Sequence, residues 1–344
     1  MDFLKMQRSD RRDSLRKPPW LRNRVVSYST SGKAWGVMPE AESPCDRLCP
    51  VCGAVDAREW RRKAALTLVR CGGCGMVFES PLPGEFDSGA FYEGTGAAFY
   101  LSPDKLAGDH SPVRYERELT LFRRLVRTGR VLDVGCGTGG FLHRLNQRFA
   151  GDYAVHGTDV AGPALDHAEG LGIRIHRGSF LDGPFEADAF DAVTFWAVLE
   201  HLAEPKDFLR QAARVLKPGG FCIALVPNIR SLAVRLVGLK YRYILPQHLN
   251  YFSKRTLVRL AQEAGGFTVE DVIFTHFNPA VIWQDWRRDG DFVSDSDRAA
   301  LLKRTNSLKQ RRGLAPIRWA YSLAETCLGT LGLTDNVAVV LRKR

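Results

Sequence analysis

Val131-Leu132-Asp133-Val134-Gly135-Cys136-Gly137-Thr138-Gly139-Gly140 joins a short apolar strand to a turn with four glycines in six residues. A helix then follows over 140–149, with Phe141, Leu142, Leu145 and Phe149 on one side. Glycines at a strand-to-helix turn let the backbone approach a ligand closely and present amide groups at a helix N-terminus. Outward from this point the chain alternates. Strands are expected at 153–158, 172–177, 190–196 and 220–226, with helices near 113–127, 162–169 and 205–215. Ser253 is placed to cap another helix that stops at Gly265-Gly266. Phe267 to Thr275 and Asn336 to Leu341 supply a sixth and a seventh strand. This alternation predicts a doubly wound α/β sheet, interrupted by a helical, basic insertion at 276–335 that carries Trp283 and Trp286.

The eight cysteines include two CxxC knuckles, Cys49-Pro50-Val51-Cys52-Gly53 and Cys71-Gly72-Gly73-Cys74-Gly75, separated by the 18 residues 53–70. That spacing is the one expected of a four-cysteine zinc site. Two thiolates at a tight turn can share one tetrahedral ion, and the glycine after each pair permits the left-handed backbone that such a turn needs. Four sulfurs close the coordination sphere, so the expected Zn2+ is structural, with Cys45 as a substitute ligand. Disulfides fit poorly with a chain that shows no export signal, and a redox pair would lie beside a βαβ unit. Cys136, Cys222 and Cys327 are expected to be small buried side chains.

The chain has 344 residues, 45% of them hydrophobic and 25% charged, the composition of an ordinary globular protein. Its net charge of +11 is uneven. Residues 1–40 carry nine basic and four acidic side chains, residues 287–344 twelve and six, and the remainder 28 of each. A nucleic-acid enzyme usually carries its basic footprint on the working domain, so a nucleic-acid partner is disfavoured. The basic ends read as solvated tails first and as a peripheral membrane contact second. No apolar run approaches the ~20 residues that span a bilayer, and the first 30 residues hold no apolar signal core, which suggests a cytoplasmic location. The division expected is a basic arm at 1–44, a zinc ribbon at 45–83, the α/β domain at 84–275 with 336–344, and a helical cap at 276–335.

Gly135, Gly137 and Gly140 satisfy GxGxxG, so a nicotinamide or flavin cofactor has to be weighed. Asp159, at the end of the second strand, is the carboxylate expected about 20 residues on to grip ribose hydroxyls, under either reading. Asp133 discriminates. A carboxylate two residues before the first glycine is awkward beside a pyrophosphate and suits a ligand with an ammonium group and a sulfonium, such as S-adenosylmethionine.

Residues 131–140, Gly157-Thr158-Asp159, Phe190-Asp191-Ala192-Val193 and Leu216-Lys217-Pro218-Gly219-Gly220 together resemble the class I S-adenosylmethionine-dependent methyltransferases over about 115–275 and the last strand. Glu200-His201-Leu202 resembles a Glu-His-Leu of small-molecule members, and Pro246-Gln247-His248-Leu249-Asn250-Tyr251-Phe252-Ser253 a stretch of a branch linked to sugar and secondary-metabolite methylation. The ribbon, ending at Pro81-Leu82-Pro83 and followed by Phe91-Tyr92, is similar to one that precedes some bacterial members. The resemblance implies a seven-stranded Rossmann-like sheet. It puts Asp133, Gly135, Gly137 and Gly139 around the methionine portion of the cofactor, Asp159 on the ribose and Val160 against the adenine. It further implies Ser179 and Phe180 near the adenine amine, where the family's acidic residue is absent, and Trp196 beside the sulfonium. Nothing is carried onto Ala197, where many relatives have Asp.

Methylating a hydroxyl calls for a base near the operating pH, and imidazole fits. His248, after strand five, is the candidate base and His201 the structural histidine, both on the C-terminal edge of the sheet, where ligands of such sheets bind. The function expected is methyl transfer to a small molecule, a sugar nucleotide or a glycan precursor, most readily at oxygen. An rRNA or tRNA methyltransferase using the ribbon for RNA contact, a non-catalytic cofactor-binding partner and a dehydrogenase are the alternatives. The strand-four ending Phe195-Trp196-Ala197 lacks the Asn-Pro-Pro-aromatic tetrapeptide of base-amine enzymes.

Overall fold

The computed structural model describes residues 47–84, 95–290, 292–310 and 315–344. The expected arm at 1–44 and Cys45 lie outside the described residues. The α/β sheet has seven strands: β4 (Gly129–Val134), β5 (Tyr153–Asp159), β6 (Arg174–Arg177), β7 (Phe190–Trp196), β8 (Leu216–Pro227), β10 (Phe267–Thr275) and β11 (Asn336–Lys343). Their order is β10-β11-β8-β7-β4-β5-β6. Strands β4 to β8 pair in parallel, whereas β11 runs antiparallel between β8 and β10. Alternate residues of a strand face opposite sides of a sheet. Val131 and Ala192 therefore enter one buried layer with Phe122 and Phe141, and Leu132, Val134, Val193 and Phe195 enter the other. From β4 the chain moves outward to β5 and β6, then returns to place β7 on the other side of β4. The reversal opens a crevice beyond the C-terminal ends of β4 and β7, the place where doubly wound sheets bind ligands.

A second sheet holds β1 (Ala57–Lys63), β2 (Leu66–Cys71) and β3 (Val77–Glu79), and its fourth strand, β9 (Asn250–Tyr251), comes from the loop that follows β8. Val77 pairs with Tyr251 and Phe78 with Asn250. The ribbon thus shares a strand with the far part of the chain, and Met76 and Phe78 lie in one buried cluster with Phe252 and Leu257. Ser253 caps the helix Lys254–Ala264 as expected, in a reciprocal capping box with Thr256.

The segment 276–335 contains the helices Pro279–Arg287, Asp295–Gln310 and Ala315–Thr330. The first is locked to the long connection between β8 and β9 by Arg242 and Asp285, 7% and 1% exposed. Arg242 donates from Nη2 to Asp285 Oδ1 at 2.8 Å and from its backbone N to Oδ2 at 2.8 Å. A buried charge stripped of its partner costs about 3–5 kcal/mol. Asp285→Ala is expected to lower the unfolding free energy by about that amount in urea titrations, and Arg242→Met added to it to restore most of the loss. Of the scattered cysteines, Cys136 and Cys222 are buried as expected, but Cys327 is exposed, on the outer face of the last helix. No helix among the described residues is long and apolar enough to cross a membrane.

Candidate active site

The glycine turn sits at the crevice. Gly135, Gly137 and Gly139 all have positive φ, at 71°, 52° and 76°, and the helix Gly140–Arg148 starts immediately after. Two of them are held to glycine for different reasons. A Cβ on Gly139 would come within 2.4 Å of the Ile173 side chain, so packing forbids it. A Cβ on Gly137 would meet nothing within 4 Å, so the space before it is open to a ligand while its left-handed backbone still favours glycine. Asp159 closes the turn. Its Oδ2 accepts from Gly137 N at 2.8 Å, and its Oδ1 accepts from Val160 N at 2.7 Å and Ala161 N at 3.0 Å. Burial raises the pKa of this carboxyl, and the three amides oppose that rise.

Asp133 is 3% exposed, and Thr194 Oγ1 on β7 donates to its Oδ1 at 2.6 Å. Burial, with a smaller contribution from Asp159, pushes the Asp133 carboxyl up to about 8 against the Thr194 hydrogen bond. At the end of β7, the Trp196 ring lies 4.9 Å from Phe141 and its buried indole N–H has no acceptor among the described residues. Ala197, the next residue, holds φ at 58°, a conformation that costs a non-glycine residue free energy and recurs at functional sites. Ser179 stays near the surface, but Phe180 does not. The ring of Phe180, a candidate at the adenine, is 2% exposed and packs on Phe185, Phe195 and Phe208, so apolar packing draws that side chain into the core.

Two loops meet over the same edge. Glu200, in the short 3-10 turn Leu199–His201, is 1% exposed, and neither of its carboxylate oxygens has a hydrogen-bond partner among the described residues. Burial pushes its carboxyl up to about 8. His201 Nδ1 donates to Gln247 O at 2.8 Å, and His248 Nδ1 to Tyr243 O at 2.9 Å. A carbonyl can only accept, so each histidine keeps its proton on Nδ1 and its lone pair on Nε2. The two rings stand edge to face at 4.6 Å, and ligand-type atoms of Glu200, His201 and His248 lie within 4.8 Å of one another. Burial lowers both histidines, His201 to about 4 and His248 well below its ordinary value, with the Arg298 charge contributing to each. Asn250 ties the loops together. Its Nδ2 donates to Leu199 O and Leu202 O, and Arg47 donates to its Oδ1.

The four knuckle cysteines also converge. Cys49 and Cys74 Sγ lie 3.5 Å apart, as do Cys52 and Cys71, and all four sulfurs fall within 4.8 Å. The turns repeat each other, Gly53 N donating to Cys49 O and Gly75 N to Cys71 O.

A family profile described as a methyltransferase domain matches residues 110–272, from the approach to the glycine turn through most of β10. The chain carries a methyltransferase domain. On the seven-stranded sheet described above, the protein is an S-adenosylmethionine-dependent methyltransferase. It is similar to an uncharacterised protein of Methanocaldococcus jannaschii, 27% identical over 46% of this chain and 74% of that protein. It is also similar to a ubiquinone biosynthesis O-methyltransferase of Maricaulis maris, 31% identical over 44% of this chain and 63% of that enzyme, somewhat under two thirds of its length. A solved S-adenosylmethionine-dependent methyltransferase of Thermotoga maritima, described as a possible histamine N-methyltransferase, aligns with 74% of this chain and 98% of its own at 16% identity and a TM-score of 0.47.

In the methyltransferase, Asp133, the three glycines and Asp159 lie together at the ends of β4 and β5, and Trp196 ends β7 with its ring on Phe141 of the helix that follows the glycine turn. One residue beside the site carried no signal: His110 places Nε2 3.2 Å from Thr138 Oγ1 in the glycine turn. A lone histidine in a connector has no spacing that marks it.

Proposed function

We propose that the methyltransferase moves a methyl group to a hydroxyl oxygen of a small-molecule or glycan-precursor acceptor, with His248 as the base. The residues fit the cofactor: open space before Gly137, an orphaned indole N–H on Trp196 and a buried carboxyl at Asp133 are features that a ligand with amino, ribose and sulfonium groups would satisfy. Asp133 and Gly135 would hold the methionine end, Asp159 the ribose, and Val160 and Ser179 the adenine side. Bound there, S-adenosylmethionine supplies an electrophilic methyl group. What the chain adds is alignment, exclusion of water and removal of one proton.

The observation that carries the oxygen assignment is the state of His248. Its Nδ1–H is committed to Tyr243 O, which leaves the lone pair on Nε2, and burial keeps it neutral at pH 7 while making it a weaker base than the ordinary imidazole expected from the sequence. Nε2 is therefore ready to take the acceptor's O–H proton as the new O–CH3 bond forms. The ubiquinone O-methyltransferase named above supports a hydroxyl acceptor. A second reading is favoured by the 4.8 Å grouping of Glu200, His201 and His248. There a divalent cation would acidify the acceptor hydroxyl, and added Mg2+ or Mn2+ would raise activity several-fold.

Labelled-methyl transfer to a panel of phenols and sugar nucleotides tests this function. General-base catalysis contributes about 10²–10⁴ in rate. His248→Asn, which can still donate to Tyr243 O, should lower kcat by about 10²–10³ and leave S-adenosylhomocysteine affinity within twofold. The wild-type rate should show no inflection near pH 6.5, because His248 is already neutral there. A His248→Asn enzyme with unchanged kcat would remove the base from the scheme.

We also infer that the four cysteines hold a structural zinc. Tetrahedral Zn–S bonds of about 2.3 Å place sulfurs roughly 3.8 Å apart, within the spread seen here.

A further inference from the structure

The balance of 28 basic and 28 acidic side chains outside the two ends conceals a local excess. Between the ribbon and the segment 229–239 runs a groove of about 690 Å³ lined by Arg61, Arg70, Arg230, Arg235 and Arg255, and by no carboxylate. None of the five makes a salt bridge among the described residues. The nearby Asp56 and Glu59 pair instead with Arg58 and Arg62. Trp60 stands in the wall with the Arg61 and Arg70 guanidinium groups 5.5 and 4.9 Å from its ring. Val77, Ile229 and Leu239 supply apolar lining. The backbone holds part of the array in place: Arg235 Nε donates to Arg230 O at 3.2 Å.

Five guanidinium groups line the groove with no carboxylate among them, the Cys74 sulfur at one end being the nearest negative group when zinc is bound, and an anion between them would relieve their mutual repulsion. Guanidinium is the side chain best matched to phosphate, through paired N–H donors. The groove has the size of a small-ligand site, not of a track for a polymer, and its indole and aliphatic lining can take a flat ring. We propose that this groove binds a compact ligand with two adjacent phosphate groups. Two sources share that chemistry: a free oligophosphate, and a nucleoside diphosphate whose base would use the Trp60 side. None of the lining residues belongs to the cofactor or His248 set, so the inference is independent of the acceptor assignment.

Calorimetry and thermal unfolding of the full chain test it, with S-adenosylhomocysteine present to occupy the cofactor site and ionic strength held constant. Inorganic pyrophosphate, ADP, sulfate and a 20-nucleotide single-stranded RNA are the probes. Pyrophosphate and ADP should bind at least tenfold more tightly than sulfate and raise the melting temperature. ADP tighter than pyrophosphate selects the nucleotide source, and equal affinities select the free oligophosphate. Arg70→Gln with Arg235→Gln should weaken both by at least tenfold without changing S-adenosylhomocysteine affinity and without lowering the melting temperature or the methyl-transfer rate measured in the absence of phosphate ligands, the last two reporting that the ribbon of the variant is folded. Sulfate equalling pyrophosphate, a double variant that binds as well as the wild type, or binding by the RNA alone would overturn the proposal.

Discussion

Cys71→Ser combined with Cys74→Ser is expected to abolish methyl transfer, by at least about 100-fold, although neither residue touches the cofactor crevice. Small metal ribbons draw their folding free energy from the ion, so losing two of four ligands unfolds them. The damage would not stop there, because β3 of the ribbon pairs with Asn250–Tyr251, two residues beyond His248. Asn250 in turn holds Leu199 O and Leu202 O, the ends of the turn that carries Glu200 and His201. Melting the ribbon frees both histidine loops together, and a small misplacement of catalytic groups is enough to cost about 10² in rate. The cofactor turn belongs to the other sheet, so S-adenosylhomocysteine should still bind. Activity assays, zinc quantification and calorimetry on the double variant check this. A zinc-free variant with wild-type kcat would dissociate the ribbon from the active site.

Asp133→Asn should separate binding from stability. The carboxyl is held near 8 in the folded chain against 3.8 for an ordinary aspartate. A group raised on folding stabilises fully below its unfolded value and loses that contribution as pH rises through the folded one. Between about pH 4 and pH 8 the native state is therefore increasingly destabilised by Asp133, and asparagine removes that penalty while still accepting from Thr194. A tenfold change in an acidity constant corresponds to about 1.36 kcal/mol, so a gain of about 1–3 kcal/mol is expected at pH 8.5, with little at pH 4. Ligand binding should move the other way, falling at least 100-fold, because an ammonium group needs the ionised carboxylate. In the wild type, S-adenosylmethionine should bind more tightly as pH rises towards 8. Urea denaturation across pH and calorimetry with S-adenosylhomocysteine measure both. A variant that binds like the wild type would refute the assignment of Asp133 to the methionine end.

Much of this site is legible along the chain because its chemistry is local. Asp133 and the three glycines fall within seven residues, and Asp159 ends the next strand, so one turn and one parallel pairing bring them together. The cysteine knuckles are legible for the same reason, each being a four-residue turn. Phe180 and Cys327 are not legible in this way, because residues of like composition can face core or solvent according to what packs on them. Phe180 meets Phe195 and Phe208 from distant segments, and Cys327 is left exposed.

Periodicity, turn chemistry and ligand spacing in the sequence were by themselves sufficient for the alternation of strands and helices, the glycine turn and the two cysteine knuckles, because each is set by interactions between residues close along the chain. Only the tertiary structure decided that residues 250–251 complete the ribbon, that Glu200 and two histidines share one buried space, and that five arginines from separate segments line one groove. Those meetings depend on how layers pack, and packing joins residues whose separation along the chain leaves no periodic trace.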